Sequence, residues 1–587
     1  MALTSSARRG WRDLVGKAAW IERPTLCSSA STNSNHMLPR VPNLVLGPLL
    51  RYVGETDAVI WVETDAACEV EVLGTRERTF QVAGHHYALV HCQGLAPGTW
   101  YEYEVRLDRD PVWPVADGFP ASAFHTYPKE GDLQVVFGSC RVAAPHEAPY
   151  SLRKDEDERG REIDALHTLA QRMRNEPRER WPDVLLMIGD QVYADEVSPG
   201  TQSFLETRRD VNDPPGERVL DYEEYTRLYR ESWSDPTIRW LLSTLSTAMI
   251  FDDHDVHDDW NISAAWLEEM RATDWWDHHI VGALASYWVY QHLGNLEPGH
   301  HADDELLRRV READDGWPIL ERFAAEADRS NAGTRWSYCR DLGRTRLVVI
   351  DSRAGRVLEE GSRSMLDDSE WKWVEEHFTG DFDHLLVATS LPWLLGRGMH
   401  YAEAWSEAVA GGAWGKAFAP LGERLRQAVD MEHWAAFQES FARLTELLRS
   451  VAAGERGPAP ASVVVLSGDV HHAYLCEVAF RADAGVRSHV FQAVCSPYRN
   501  PLEERERRVI RLGMSRPFAL VARALAAAAG VDDPDVRWRM VGDGPWFDNQ
   551  VATLRIDGRA IEMRLDKAVP VDATSARLEE VLDRKLA

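Results

Sequence analysis

Asp183-Val184-Leu185-Leu186-Met187-Ile188-Gly189-Asp190-Gln191-Val192-Tyr193-Ala194-Asp195 is the stretch on which the reading of this chain turns. Val184 to Ile188 is an apolar run too short for a helix, and it has the length of a fully buried strand. Gly189 then allows a sharp exit. A carboxylate, a phenol and a second carboxylate follow at Asp190, Tyr193 and Asp195. In open α/β sheets, ligands bind beyond the carboxyl ends of the strands. The stretch therefore predicts a strand whose exit loop carries a site.

The arrangement recurs three times. Leu133 to Phe137 runs into Gly138-Ser139-Cys140-Arg141. Thr247 to Phe251 runs into Asp252-Asp253-His254-Asp255. Val463 to Leu466 runs into Ser467-Gly468-Asp469-Val470-His471-His472. Each cluster alone has a plain structural explanation: a helix cap for the acidic pair, a small buried hydrophobe for the cysteine, polar surface for the histidines. Four clusters of metal-capable side chains, all at strand ends, point to one shared metal or catalytic site.

Composition narrows the class. A chain of 587 residues is longer than one ordinary core, so more than one domain is expected. Hydrophobic content of 44% and charged content of 27% are those of a globular protein. A net charge of −28 argues against general nucleic-acid binding or docking on anionic membranes. It leaves a small anionic substrate open, because bound cations invert a local field. Seven cysteines without a spacing framework do not read as a disulfide scaffold or a zinc ribbon. No apolar run has the length of a membrane span.

Residues 1–40 read as a disordered leader or a mis-assigned start, with Met37 the expected natural beginning. Arg8-Arg9 is similar to a twin-arginine signal, but Asp13, Lys17 and Glu22 interrupt any apolar core. Without a convincing export signal the expected location is cytoplasmic. Residues 41–128 alternate in short β runs. The clearest is Pro97-Gly98-Thr99-Trp100-Tyr101-Glu102-Tyr103-Glu104-Val105, which resembles the corner-tyrosine turn of fibronectin-like sandwiches. This sandwich reads as a packing or interaction module. Residues 129–570 mix strands with helical stretches at 155–176, 222–246, 264–293, 415–453 and 503–529, which predicts a layered α/β domain. Asp557-Gly558 is a hairpin signal. Residues 571–587 read as a helical C-terminal tail.

In their variant details the four loops resemble the calcineurin-like metallophosphoesterases, and within them the alkaline phosphatase D (PhoD-like) family. The carriers are the Cys in the first loop, Gly-Asp-x-x-Tyr-x-Asp in the second, Asp-Asp-His-Asp in the third and Gly-Asp-x-His-His in the fourth. The resemblance implies an αββα sandwich and a phosphoric ester hydrolase acting on phosphate monoesters, diesters or both. It implies Fe³⁺ held by Cys140, Asp190, Tyr193 and His471. A second metal, Ca²⁺, would be bridged by Asp190 and bound by Asp253 and Asp469, with Mn²⁺ or Zn²⁺ as substitutes. Thiolate, phenolate and imidazole suit iron, and an oxygen-only set suits calcium. Asp195 and Asp255 are candidates for further ligands or for supporting carboxylates. His254 would protonate the leaving group. Arg141 would grip phosphate in a bidentate way, and His472 by one hydrogen bond. Arg353 has two readings, phosphate contact and a salt bridge to Asp351.

The chain departs from the family at Arg141, where some relatives have Gln, and after His254, where Asn261 stands apart from the usual paired Asn. The family's export signal is missing, although secretion or cell-wall association is what the resemblance implies. Two other functions fit the residues: another metal-assisted hydrolysis, or a sandwich-bearing interaction protein with a degenerate metal site. The expected partner is a small phosphoester, with no nucleic acid and no transmembrane segment.

Overall fold

Two sheets meet back to back at the centre of the molecule, as seen in a computed structural model that describes residues 41–115, 118–128, 131–330, 333–572 and 575–587. The expected leader, 1–40, lies outside the described residues. The first sheet has six strands in the order Ser246–Ile250, Val184–Ile188, Leu133–Gly138, Gln550–Asp557, Ala560–Pro570, Ala576–Lys585. The second has seven, in the order Tyr338–Leu342, Thr345–Ile350, His384–Thr389, Ser462–Ser467, His489–Val494, Ala473–Phe480, Val536–Trp546.

The apolar runs are continuous because both faces of each strand are covered. In Thr345–Ile350, Leu347 and Val349 join the core shared with the first sheet. Val348 and Ile350 face a separate core that also holds Trp371, Phe441 and Leu448 from helices Asp368–His377 and Gln438–Ala453. The same alternation holds in the next strands: Leu386, Ala388, Val464 and Leu466 on one side, Leu385, Val387, Val463 and Val465 on the other. That is the layered αββα arrangement.

Parallel pairing brings the loops together. Gly138 pairs with Met187, and Ile188 with Ile250, so three strands end level with one another. Thr345–Ile350, His384–Thr389, Ser462–Ser467 and His489–Val494 are likewise parallel.

The N-terminal region holds two four-stranded antiparallel sheets. The Tyr101 hydroxyl accepts the backbone N–H of Ala96 at 2.7 Å, a tyrosine corner. The run 100–105 is not one strand, however. Trp100–Glu102 pairs with Ala123–His125, and Val105–Leu107 with Glu69–Val72. The sandwich is fastened to the rest: the Arg51 guanidinium donates to the carbonyls of Tyr290 and Gln291, both at 2.8 Å. Pro42–Ala587 form one compact unit.

The structure corrects several expectations. The helix expected at 155–176 is confined to Ala165–Asn175, where Asp164 caps the first turn. The 222–246 stretch divides at Pro236 into Tyr222–Trp233 and Pro236–Thr244. The expected helical tail is a strand. Ala576–Lys585 pairs antiparallel with Ala560–Pro570 and closes the sheet, with Leu586 buried. Its Leu-, Glu- and Arg-rich composition favours a helix, but an open sheet edge outweighs that local preference. No helix among the described residues is long and apolar enough to cross a membrane.

Candidate metal centre

The loops after Gly138, Ile188, Ile250 and Ser467 converge on one place. Ligand atoms of Cys140, Asp190 and His471 lie within 4.8 Å of one another, and so do those of Asp190, Asp252 and Asp253. Four of the site residues, Cys140, Asp190, Asp469 and His471, have left-handed backbones, with φ of +56°, +51°, +65° and +50°. Non-glycine residues are held there at a cost of about 1–3 kcal/mol each, and such strain gathers at functional sites. Two glycines make the convergence sterically feasible. A Cβ on Gly189 would meet Asp252 Cβ at 2.6 Å, and one on Gly468 would meet Ser139 Oγ at 2.2 Å. The Ser139 hydroxyl accepts the Asp469 N–H at 3.0 Å, which joins the two sheets across the site.

Cys140 is fully buried, with Ser139 Oγ at 3.1 Å and Ser496 Oγ at 3.2 Å from its sulfur. The Tyr193 hydroxyl donates to Asp190 Oδ2 at 3.2 Å and accepts from Asn500 Nδ2 at 3.1 Å. Asp190 Oδ1 is buried with no hydrogen-bond partner. Burial, then the neighbouring carboxylates, raises the Cys140 thiol well above its usual range; burial, then Asp190, does the same to the Tyr193 phenol. Burial also raises Asp190 and lowers His471 to about 4. A thiol, a phenol, an imidazole that stays neutral and an unpartnered carboxylate oxygen, drawn together, fit a transition metal.

The acidic side of the site is wired differently. Arg353 is fully buried. Its guanidinium lies 2.5 Å from Asp252 Oδ1, 3.1 Å from Asp253 Oδ1 and 3.4 Å from Asp469 Oδ1, and it also pairs with Glu432. The expected guanidinium bridge to Asp351 is corrected: Asp351 accepts the backbone N–H of Arg353 at 2.8 Å instead. Asp469 Oδ2 sits 3.1 Å from His433 Nε2, and His433 Nδ1 is 2.7 Å from Glu403. Both oxygens of Asp469 thus face a guanidinium or an imidazole, which does not fit the expected Ca²⁺ set of Asp190, Asp253 and Asp469. Asp190 Oδ1 and Asp252 Oδ2 are buried and unpartnered, as the ligands of a hard cation would be, and Asp253 lies with them, its Oδ1 facing Arg353 at 3.1 Å and its Oδ2 accepting the Asp259 N–H at 3.2 Å.

His254 is one-fifth exposed, and its Nδ1 is 2.9 Å from Asp195 Oδ1. Burial lowers its pKa, but Asp195 and Asp253 outweigh that and raise it well above the ordinary value. Asp195, in turn, is brought to about 2: burial raises it, and His254 more than reverses this. Asp255 accepts the backbone N–H groups of Gln191, Val192 and Asp252, at 3.2, 3.3 and 2.9 Å. It ties the second loop to the third.

Two expected phosphate contacts are corrected. The Nε–Nη2 edge of Arg141 is engaged by Asp164 at 2.9 and 2.8 Å, and Nη1 donates to the Ser232 carbonyl at 2.9 Å. His472 is buried between Tyr474 and Phe547, with Nδ1 on the Val470 carbonyl at 2.6 Å. A cleft of about 240 Å³ lies beside the cluster, lined by Arg141, Arg161, Gln191 and Tyr193 among others. His433, Glu432, Glu403 and Asn500 were missed in the sequence. Glu432-His433 was legible as an acid–imidazole pair, but the stretch around it reads as helix.

The two-sheet architecture is one that solved structures share. Residues 166–314 match the family model of PhoD-like phosphatases, and residues 41–124 match a domain of unknown function (DUF7800). A solved structure described as PhoD is similar over 94% of each chain, with 12% identity and a TM-score of 0.56. The purple acid phosphatase PPD1 from yellow lupin (Lupinus luteus) seeds is 11% identical, with a TM-score of 0.46, over 92% of this chain and 73% of that one. No curated protein matches the chain.

Proposed function

We propose that this protein is a metal-dependent phosphoesterase, hydrolysing phosphate monoesters or diesters, with residues 41–128 as an N-terminal sandwich and the chain from 129 through the strand Ala576–Lys585 as the catalytic domain. One observation carries the reading: Cys140, Asp190 and His471 gather within 4.8 Å, with the Tyr193 hydroxyl on Asp190. The four residues would hold Fe³⁺. Asp190, Asp252 and Asp253 would hold a harder cation, Ca²⁺, with Mn²⁺ or Zn²⁺ as substitutes. Such cations would supply Lewis acidity, lowering the pKa of a water and neutralising phosphoryl oxygens.

The chain's own groups do the rest. Asp195 holds His254 Nδ1, fixing the ring so that Nε2 carries the proton for the leaving oxygen. Arg353 neutralises the carboxylates behind the site and is a positioning residue. Arg141 fixes the Cys140 loop against Asp164.

Phosphate release from an aryl phosphate, measured with and without chelator and then on a mono- and diester panel, tests the reading. Turnover should vanish with chelation and return with iron and calcium. The loaded protein should absorb in the visible through its thiolate and phenolate ligands, and Tyr193→Phe should shift that band. A fully loaded protein that releases no phosphate from any ester would overturn the proposal.

A further inference from the structure

Away from the Cys140 cluster, ligand atoms of His146, His167 and Asp235 lie within 4.8 Å of one another. They come from three separate segments. His146 follows the loop that begins at Cys140, His167 is on the helix Ala165–Asn175, and Asp235 caps the helix Pro236–Thr244. Asp235 divides its oxygens. Oδ1 accepts the N–H groups of Thr237 and Ile238, at 2.9 and 3.1 Å, while Oδ2 faces His146 Nε2 at 3.6 Å. That separation is too long for a hydrogen bond. The two imidazoles stack with centroids 3.8 Å apart and planes 24° from parallel.

We propose that His146, His167 and Asp235 bind one divalent transition metal of the Zn²⁺ kind, which clamps the loop leaving Cys140 to two helices. Two imidazoles and one carboxylate are the donor set such ions prefer, and the set suits calcium or magnesium poorly. Burial lowers His146 to about 4 and lowers His167 in the same direction, so both rings offer lone pairs at neutral pH. Among the described residues no protein group is hydrogen-bonded to a ring nitrogen of His167. All three residues are half-buried, which gives an ion an entry path and leaves room for water ligands. Zinc–nitrogen bonds of about 2.0–2.1 Å require the donors to draw closer, and His146, on a loop, is the one able to move.

The clamp has a definite target. The Arg499 guanidinium holds the carbonyls of Ala144 and Pro145, and the Arg499 N–H donates to the Cys140 carbonyl at 3.1 Å. Fixing His146 therefore extends an existing tether on the segment that presents Cys140. This site shares no residue with the proposed catalytic cluster and does not depend on that cluster's activity.

Protein with its catalytic cluster already loaded is titrated with Zn²⁺, and bound metal is counted after equilibrium dialysis. One further equivalent is expected in the wild type. His146→Gln and His167→Gln should each weaken it by about tenfold or more. Asp235→Asn should weaken it as well, and this variant keeps the capping oxygen. Hydrolysis without added Zn²⁺ should be unchanged in His167→Gln. Absence of the further equivalent in the wild type, or its retention in the histidine variants, would overturn the proposal.

Discussion

The Cys140 cluster and the Arg353 cluster share one wall of the site and differ in where positive charge comes from. Around Cys140 the donors sit without a basic hydrogen-bonding partner, and burial pushes Cys140, Tyr193 and Asp190 toward their neutral forms. Around Arg353 the chain provides its own cation. Asp252, Asp253, Asp469 and Glu432 all meet one guanidinium, and Asp469 is held well below the usual carboxylate range: burial raises it, and His433 and Arg353 more than offset that. One half already carries a resident cation against four carboxylates, and the other has none of its own among the described residues.

Opposite substitutions should separate the two halves, with the largest effect at Arg353. Arg353→Gln leaves several buried carboxylates uncompensated and should cost about 3–5 kcal/mol of unfolding free energy in denaturant titrations. Asp190→Asn should instead leave the metal-free protein as stable or more so, while abolishing metal uptake and turnover. Equal destabilisation by both variants would erase the distinction drawn above.

His254 lies between the halves. His254→Ala should slow alkyl phosphate hydrolysis by about 10²–10⁴-fold and spare activated aryl esters, whose leaving groups depart without a proton. Bound metal should be unchanged. Equal losses on both substrates, together with metal loss, would make His254 a ligand.

The smallest effect lies outside the site, where the chain again supplies its own cation. His85 bridges Glu63 and Glu223, each at 2.9 Å. Burial lowers its pKa, but the two carboxylates outweigh this and raise it from 6.5 to about 9. The stabilisation is fully present below the unfolded value of 6.5 and is lost as pH rises through about 9. His85→Gln should therefore cost more at about pH 6 than at about pH 9.5, by up to about 3 kcal/mol, read from denaturant titrations. A pH-independent cost would show that the pair does not stabilise the fold by charge.

The fold was legible where strands are buried on both faces, because an apolar run bounded by Gly or Asp has few other readings. Val184–Ile188, Thr345–Ile350 and His384–Thr389 are of that kind. Ala576–Lys585 was not legible, since an edge strand takes its identity from the neighbour it pairs with. At the site, the four loops announced their ligand-type residues by sequence spacing. The partners of those residues did not. Arg141 sits next to Cys140 in sequence but turns to Asp164, and His433 reaches Asp469 from a loop with no strand before it. Local spacing reports which residues leave a strand together. It does not report which way a buried side chain turns to find its counter-charge.

The pairing of Leu133 with Ile556 has a consequence for biosynthesis. The strand that delivers Cys140 lies between Val184–Ile188 and Gln550–Asp557, so one of its edges waits for residues near the end of the chain. During translation at about 5–20 residues per second, that edge stays open while several hundred intervening residues are made. Domains whose pairings span such distances fold slowly and expose unpaired backbone meanwhile. On the ribosome, then, the N-terminal sandwich, whose strands pair with near neighbours, can close early, whereas the sheet that carries Cys140 waits for a strand several hundred residues further along.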